Sequence, residues 1–211
     1  MDRSFSVGQN SLEVAQIIVA NHPEIRQIRL IAHKVGQNWR QRNSSTSSKV
    51  KKLLEGFSHD IPIKQITYNR GEFINLKLHK LQTLPENQVW SLISKVVCSN
   101  GTYKHIPMMN FHPENVGIDV IRQTIRYICL NKNGYILDSG RFFHYYGNFL
   151  LTCTEWVAFL AEFLMPCMVV SPRYIGHCLH DGQCTLRLTA DDKYKPKFPK
   201  VIDIINSDII N

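Results

Sequence analysis

The stretch Gly134–Gly147, GYILDSGRFFHYYG, decides how the C-terminal half of this chain folds. Two short runs of apolar and aromatic residues flank a polar segment, Ser139–Arg141, which is typical of a tight turn. The pattern predicts a β-hairpin. On an extended strand Phe142, His144 and Tyr146 share one face, so we expect His144 to project beside two aromatic rings near the turn.

The elements around this hairpin predict the fold class. An apolar strand over 106–112 and a helix over 115–130 precede the hairpin. A strongly apolar helix capped by Thr154 follows it, and a strand over 184–189 comes next. The predicted order, β-α-β-β-α-β, is typical of an α/β (α+β) fold with an RNA-recognition-type sheet whose helices lie on one face.

The N-terminal half is predicted to be smaller and rich in strands. Ser11 caps an apolar helix, residues 27–33 alternate as a strand, and residues 61–78 give two strands joined by a turn at Asn69-Arg70-Gly71. A strand or helical turn follows over 89–98. We expect one compact unit over 1–211, divided into an N-terminal half (1–104), a C-terminal half (105–200) and a tail (201–211).

The composition favours partners that carry negative charge. The 211 residues carry a formal net charge of +8, and 44% of them are hydrophobic, enough for a real core. The chain contains no run of about 18 uncharged apolar residues, so no membrane span is predicted. Its first residues do not resemble a secretion signal, and six scattered cysteines are typical of free thiols in a reducing cytoplasm.

A polar and basic segment over 34–52 surrounds a run of serines and carries no acidic residue. Flexible cations beside hydroxyl groups suit the phosphate backbone of DNA or RNA, and a tryptophan can stack on a base. The alternative interpretation is a solvated connection. The candidate nucleic-acid contacts in this segment are Lys34, Trp39, Arg40, Arg42, Lys49, Lys51 and Lys52.

The hairpin turn and a later strand supply candidate phosphate ligands. A serine hydroxyl, a glycine N–H, a guanidinium and an imidazole are all donors to phosphate oxygens, and here they are Ser139, Gly140, Arg141 and His144. Taken alone, His144 also fits a purely structural role. In TLRLT, Arg187 lies between two threonines, and a charge there needs an anion or an internal ion pair with Asp138 or Asp181.

At these residues the sequence resembles the archaeo-eukaryotic primase superfamily, in particular its small bacterial primase-like members. SGRFFHYYG resembles the second motif of that family, which places His144 at the histidine that contacts the phosphates of the incoming nucleotide. CTLRLTADDKYKPKFP resembles the strand that follows the third motif, with Arg187 and either Lys193 or Lys195 as phosphate ligands. The resemblance covers residues 105–200 and implies nucleoside triphosphates as ligands.

The metal-binding motifs of the family depart from their usual pattern. The positions of the first carboxylate pair are Asn110 and His112, and the third motif ends in Ser171. Neutral oxygens are poor ligands for the Mg²⁺ or Mn²⁺ that an active family member requires. The resemblance therefore implies a primase-like protein that binds nucleic acid or nucleotides, with lost or weakened polymerase activity.

Two alternatives remain open at this stage. An active primase-polymerase is possible if Glu114, Asp138 or Asp181 supplies a displaced carboxylate, or if His112 joins Asn110 on a softer divalent ion. A non-catalytic protein-interaction subunit would use the fold only to bind a protein partner.

The cysteines and histidines suggest two further candidate features, a zinc site and a cysteine nucleophile. The set His177, Cys178, His180 and Cys184 offers zinc ligands, although its spacing fits no common zinc pattern. Cys153 and Cys167 have no positively charged neighbour in sequence, so the sequence gives no sign of a cysteine nucleophile.

Overall fold

The computed structural model describes residues 6–35, 62–81, 84–112, 116–130, 132–166 and 168–207. Within these residues the strands are β1 (Ile25–Lys34), β2 (Lys64–Asn69), β3 (Gln88–Ile93), β4 (Lys95–Cys98), β5 (Tyr103–His105), β6 (Met108–Phe111), β7 (Gly134–Asp138), β8 (Phe143–Gly147), β9 (Thr185–Arg187) and β10 (Lys200–Ile205). The helices are α1 (Ser11–Asn21), α2 (Arg70–Ile74), α3 (Leu78–Leu81), α4 (Ile118–Ile128), α5 (Cys153–Glu162) and α6 (Pro172–Asp181).

Two antiparallel sheets organise these elements. In the first sheet, β1 pairs with β2 along one edge and with both β3 and β4 along the other, while β9 pairs with β3 and β5 pairs with β4. The second sheet has the order β10-β7-β8-β6, so the β7–β8 hairpin lies in its middle. Apolar side chains from both sheets and from α1, α4 and α5 join one buried cluster. This arrangement confirms the predicted α+β class.

Local capping explains where two of the long helices begin. Asn10 accepts hydrogen bonds from the N–H groups of the first turn of α1, and the Glu13 carboxylate accepts the N–H of Asn10. Thr152 and Glu155 make the same exchange at α5. The predicted caps, Ser11 and Thr154, are therefore wrong by one and two residues, because the preceding polar side chain already holds the free N–H groups.

The predicted hairpin at Asn69-Arg70-Gly71 is wrong. The chain enters helix α2 there, because the Glu72 carboxylate accepts the N–H of Asn69 at 3.0 Å and starts a helical turn. Phe73 is buried in the core, and the side-chain amide of Gln16 donates to the carbonyl oxygens of Phe73 and Leu76. A contact with α1, distant in sequence, thus holds this segment in helical form.

The predicted last strand of the C-terminal sheet belongs instead to the first sheet. Strand β9 pairs with β3, where Arg187 lies opposite Ser91. The second sheet is completed by β10, which pairs with β7. The prediction of a tail from residue 201 is therefore wrong for 201–205, where Val201 and Ile205 are buried.

Among the described residues, no helix is both long enough and apolar enough to cross a membrane.

Candidate functional site

A cavity of about 580 Å³ lies where one face of the first sheet meets the β7–β8 turn of the second. Its apolar wall includes Ile31 and Leu186, and its polar wall includes His33, Ser91, Gln183 and Thr185. Because successive side chains of a strand point to opposite faces, Ile31 and His33 lie on the same face of β1, and both line the cavity. The cavity also contains five residues expected from the sequence to act at the site or at family-equivalent positions: Asn110, Ser139, His144, Arg187 and Lys195.

Arg187 is buried in the wall of this cavity and is held by backbone carbonyl groups. Its guanidinium donates to the carbonyl oxygens of Thr189 at 2.6 Å, Lys197 at 2.8 Å and Ser139 at 2.7 Å. These bonds tie β9, the loop that follows it and the turn after β7 into one unit. Burial lowers the pKa of Arg187 to about 10, so the group stays charged at neutral pH.

Arg187 forms no ion pair with Asp138 or with Asp181. The Asp138 carboxylate accepts the N–H of Gly140 and lies 3.8 Å from the Lys197 ammonium, while the Asp181 carboxylate lies 3.0 Å from the His180 ring. No carboxylate among the described residues pairs with Arg187. Its charge is therefore solvated by carbonyl dipoles and not neutralised, and an anion in the cavity would neutralise it.

His144 and Asn110 face each other on neighbouring strands of the second sheet. They are register partners on β8 and β6, and His144 is only 5% exposed. Burial, reinforced by the positive charges of Arg187 and Lys195, lowers the pKa of His144 to about 3, so its imidazole is neutral. The His144 Nδ1 and the Asn110 Oδ1 are buried without a hydrogen-bond partner. Both residues line the cavity.

Lys195, and not Lys193, is the lysine of the cavity. The Lys195 ammonium lies 5.7 Å from the centre of the Phe142 ring, and burial, with Arg187 and Arg141 nearby, lowers its pKa. Lys193 lies outside this cavity, with its ammonium over the Tyr194 ring. Two main-chain hydrogen bonds between Asp191 and Lys195 close the loop that carries both lysines.

Two hydrogen-bond donors of the turn Ser139–Arg141 are engaged within the turn itself. The Ser139 hydroxyl donates to the carbonyl oxygen of Phe142 at 2.7 Å, and the Gly140 N–H donates to the Asp138 carboxylate at 2.6 Å. Both donors are used to shape the turn, where Gly140 adopts a φ of +101°. The exposed Arg141 guanidinium lies over the Phe142 ring and is not part of the cavity wall. That Ser139, Gly140 and Arg141 bind phosphate stays a prediction, and of the three Ser139 lines the cavity.

The family-equivalent positions lie side by side, but only Asn110 reaches the cavity. Phe111 forms an antiparallel bridge with Val170, which brings Ser171 next to β6, where it caps α6. The His112 ring packs on Phe142, with 4.4 Å between ring centres. His112 and Ser171 therefore border the cavity wall without lining it.

These residues do not fit the metal ions that an active family member would hold. Among the described residues, no group of three or more histidine, cysteine or acidic side chains is arranged to bind a metal. In the described part of the chain, the one acidic side chain that lines the cavity is Asp181, and the cations Arg187 and Lys195 oppose metal binding there. Of the other two candidate carboxylates, Asp138 accepts the N–H of Gly140 and does not line the cavity, and Glu114 lies outside the described residues.

The zinc-like set is dispersed over both sides of α6. The Arg173 guanidinium donates to His177, and His180 faces Asp181. Cys178 and Cys184 are buried in the core instead.

Most of the basic segment 34–52 lies outside the described residues. Lys34, which ends β1, is exposed, and nothing in the structure tests Trp39, Arg40, Arg42, Lys49, Lys51 or Lys52. The polar residues of the cavity that the sequence did not indicate are His33, Ser91, Gln183 and Thr185, because their side chains carry no motif. The pairing of β3 with β1 and with β9 brings His33, Ser91 and Thr185 together.

The family of this chain follows from comparison with models of known protein families. A family model described as archaeo-eukaryotic primase 1D-like matches residues 73–200, a range that includes His144, Arg187 and Lys195. No curated protein and no solved structure matches the chain significantly. The family match supports a primase-like function of the nucleotidyltransferase type. Because the match spans more than half of its length, this chain belongs to the archaeo-eukaryotic primase superfamily.

Proposed function

We propose that this chain binds the phosphates of nucleoside triphosphates, DNA or RNA in the cavity between its two sheets, and that its polymerase activity is lost or weakened. One observation carries the proposal: Arg187 and Lys195 line the same cavity as the neutral His144, and no described carboxylate neutralises Arg187. Family membership supports the same class of ligand.

The electrostatics of the cavity favour an anion. A buried guanidinium that is bound only by carbonyl groups retains most of its charge, and charge-assisted hydrogen bonds to phosphate oxygens are stronger than neutral ones. The neutral imidazole adds a donor or an acceptor at Nδ1, according to its tautomer. The unsatisfied Asn110 amide lies beside it and can present either its oxygen or its NH₂ group to a bound ligand.

Loss of polymerase activity follows from the missing carboxylates. Metal-assisted phosphoryl transfer requires oxygen anions that hold divalent ions against the triphosphate. The described residues at the corresponding positions are Asn110, His112 and Ser171, and none of them carries a negative charge. We therefore propose that phosphate binding here does not depend on a divalent ion.

The affinity for ATP, measured in the presence of a metal chelator, tests whether the cavity binds phosphate without a divalent ion. We expect ATP to bind in the presence of EDTA, and Lys195→Ala to weaken binding about tenfold through loss of one charge-assisted contact, as measured by calorimetry. Lys193→Ala is the matched control, because that lysine belongs to the same loop but not to the cavity, and its affinity should stay within about twofold of the parent chain. Equal losses in both variants would attribute binding to the general charge of the loop and refute the assigned site.

Primer synthesis and extension assays test the chemistry. We expect no product from primed or unprimed templates with nucleoside triphosphates and Mg²⁺ or Mn²⁺. Product that disappears in His144→Ala would establish the alternative, an active primase-polymerase whose metal ligands include residues outside the described ones.

Salt dependence separates nucleic-acid binding from the interaction-subunit alternative. Phosphate contacts release counterions, so affinity for single-stranded DNA or RNA should fall as salt rises. A lack of affinity for nucleic acid and nucleotide at low salt would refute phosphate binding and favour the interaction-subunit alternative.

A further inference from the structure

A second polar cluster lies away from the cavity, where α5 begins beside the edge of the first sheet. Cys153 is the first residue of α5 and is exposed. Its Sγ lies 3.9 Å from Nε2 of His105, the last residue of β5. His105 is 1% exposed and stacks on the Trp156 ring, with 4.3 Å between ring centres. A buried, immobilised imidazole therefore points one ring nitrogen at a solvent-accessible thiol.

The other ring nitrogen of His105 is held from inside the protein. The Ser94 Oγ lies 3.2 Å from Nδ1 and also accepts the N–H of Cys184 at 2.8 Å. When Nδ1–H donates to Ser94, the lone pair of Nε2 faces the thiol. The arrangement thus has a nucleophile, a base and a group that orients the base, which is the general layout of an activated nucleophile.

Charge around the cluster keeps the imidazole neutral. Burial, together with the positive charge of Lys95, lowers the pKa of His105 to about 4, so Nε2 is free of a second proton at neutral pH. The N-terminal end of a helix also favours negative charge on its first residues. The thiol proton has two acceptors within 3.9 Å, His105 Nε2 and the Tyr103 carbonyl oxygen.

The remaining described cysteines lack this environment. Cys98, Cys129, Cys178 and Cys184 are all buried. Burial raises the pKa of the Cys129 thiol to about 11 and raises the pKa of Cys98 and Cys184 as well. The thiols of all four are therefore shielded from reagents, and burial also opposes the ionisation of Cys98, Cys129 and Cys184.

We infer that Cys153 is a covalent modification site at which the chain takes up low-molecular-weight disulfides, with His105 accepting the thiol proton. In this exchange the Sγ of Cys153 forms a new S–S bond with one sulfur of the disulfide, and the original S–S bond breaks. The departing thiolate takes up a proton, and the proton accepted by His105 passes to solvent. Cys153 is oxidised and one half of the small disulfide is reduced to a thiol, so the exchange needs no further oxidant.

The probe is dithiobis(nitrobenzoate), an aromatic disulfide whose released thiolate absorbs visible light. The parent for all variants is the full chain with Cys167→Ser, because Cys167 lies outside the described residues. We expect one fast-reacting thiol per chain, absent after Cys153→Ser, with the other cysteines reacting only after denaturation. A fast phase that survives Cys153→Ser would overturn the inference.

A matched thiol isolates the contribution of His105. Ala161→Cys in the Cys153→Ser background places an exposed thiol on the same helix, eight residues from the first position and away from His105. General-base assistance in enzymes reaches about 10²–10⁴-fold, and the low basicity of His105 reduces it, so we expect Cys153 to react about fivefold faster than this control. Equal rates would contradict the proposed role of the histidine.

His105→Asn, with folding checked by circular dichroism, should slow Cys153 to the control rate. If that variant does not fold, the comparison with Ala161→Cys decides the question by itself. Neither readout depends on nucleotide binding, so the inference stands or fails independently of the proposed function.

Discussion

Two buried histidines, His144 and His105, differ in how far their ring nitrogens find hydrogen-bond partners within the chain. Burial lowers the pKa of both, to about 3 and about 4. Both nitrogens of His105 meet a partner within the chain, Ser94 Oγ and Cys153 Sγ. The Nδ1 of His144 has none, and the neighbouring Asn110 Oδ1 is also unsatisfied.

This contrast indicates where binding energy is available. A buried polar atom without a partner costs about 1–3 kcal/mol, and a ligand that supplies the missing hydrogen bond recovers that cost. The cavity wall includes His144 and Asn110, which carry two such atoms, and the Arg187 guanidinium, which no described carboxylate neutralises. The His105 cluster gains little from a noncovalent ligand, so its solvent-facing thiol is where chemistry can occur.

Of the changes tested here, removal of the Arg187 guanidinium should cause the largest loss in the free energy of unfolding. Arg187→Met leaves the carbonyl groups of Ser139, Thr189 and Lys197 without their donor, and we expect the free energy of unfolding to fall by about 3 kcal/mol in urea titrations. Arg26→Met, at an exposed position of β1, should change it by less than about 0.5 kcal/mol. Similar stability in both variants would show that Arg187 does not hold the two sheets together.

Acid should destabilise the protein through both histidines. Each has a folded-state pKa below its ordinary value of 6.5, so the unfolded chain binds the proton first. Their contribution is complete above about pH 6.5 and is lost as the pH falls toward the folded-state values. Between about pH 7.5 and pH 5 the loss should approach about 2 kcal/mol per histidine.

His144→Gln should remove the part of this acid-induced loss of stability that comes from His144. Unfolding curves of the variant and of the parent chain, recorded at each pH, would measure the difference. An added nucleotide should reduce the loss in the parent chain, because an anion raises the pKa of His144. A variant whose stability falls with pH as steeply as that of the parent would mean that His144 is already protonated or accessible in the folded state.

A carboxylate at position 110 should produce a smaller, chemically specific change. Asn110→Asp is nearly isosteric and adds a negative charge to the cavity, so ATP affinity in EDTA should fall about tenfold through repulsion of the phosphates. Added Mg²⁺ should restore part of it, since a carboxylate is a good ligand for that ion. Asn100→Asp, in the exposed β4–β5 turn, is the control. Unchanged affinity in Asn110→Asp would place the ligand away from β6.

Local patterns predicted much of the fold and part of the site. The β7–β8 hairpin, the α+β class and the family follow from residues 134–147 and the apolar runs around them. Those patterns work because alternation and turn chemistry act over a few residues. Helix α2 was missed because its capping carboxylate and the contact with Gln16 outweigh strand propensity in the segment.

The rest of the site depends on long-range pairing. TLRLT reads as a strand in either sheet, and only its pairing with β3 carries Arg187 across to face His144 from the first sheet. The thiol of Cys153 likewise meets His105, which is 48 residues away in the chain.

The sequence by itself determined which segments form the central hairpin, that the protein has an α+β fold, and that it belongs to a primase-like family. Those properties are local, because they depend on side-chain type and short-range periodicity. Only the tertiary structure decided that Arg187 is bound by carbonyl groups, that Lys195 is the lysine of the cavity, and that Cys153 has a histidine beside it. Each of these results from the pairing of distant strands, whose partners are chosen by the packing of the whole core.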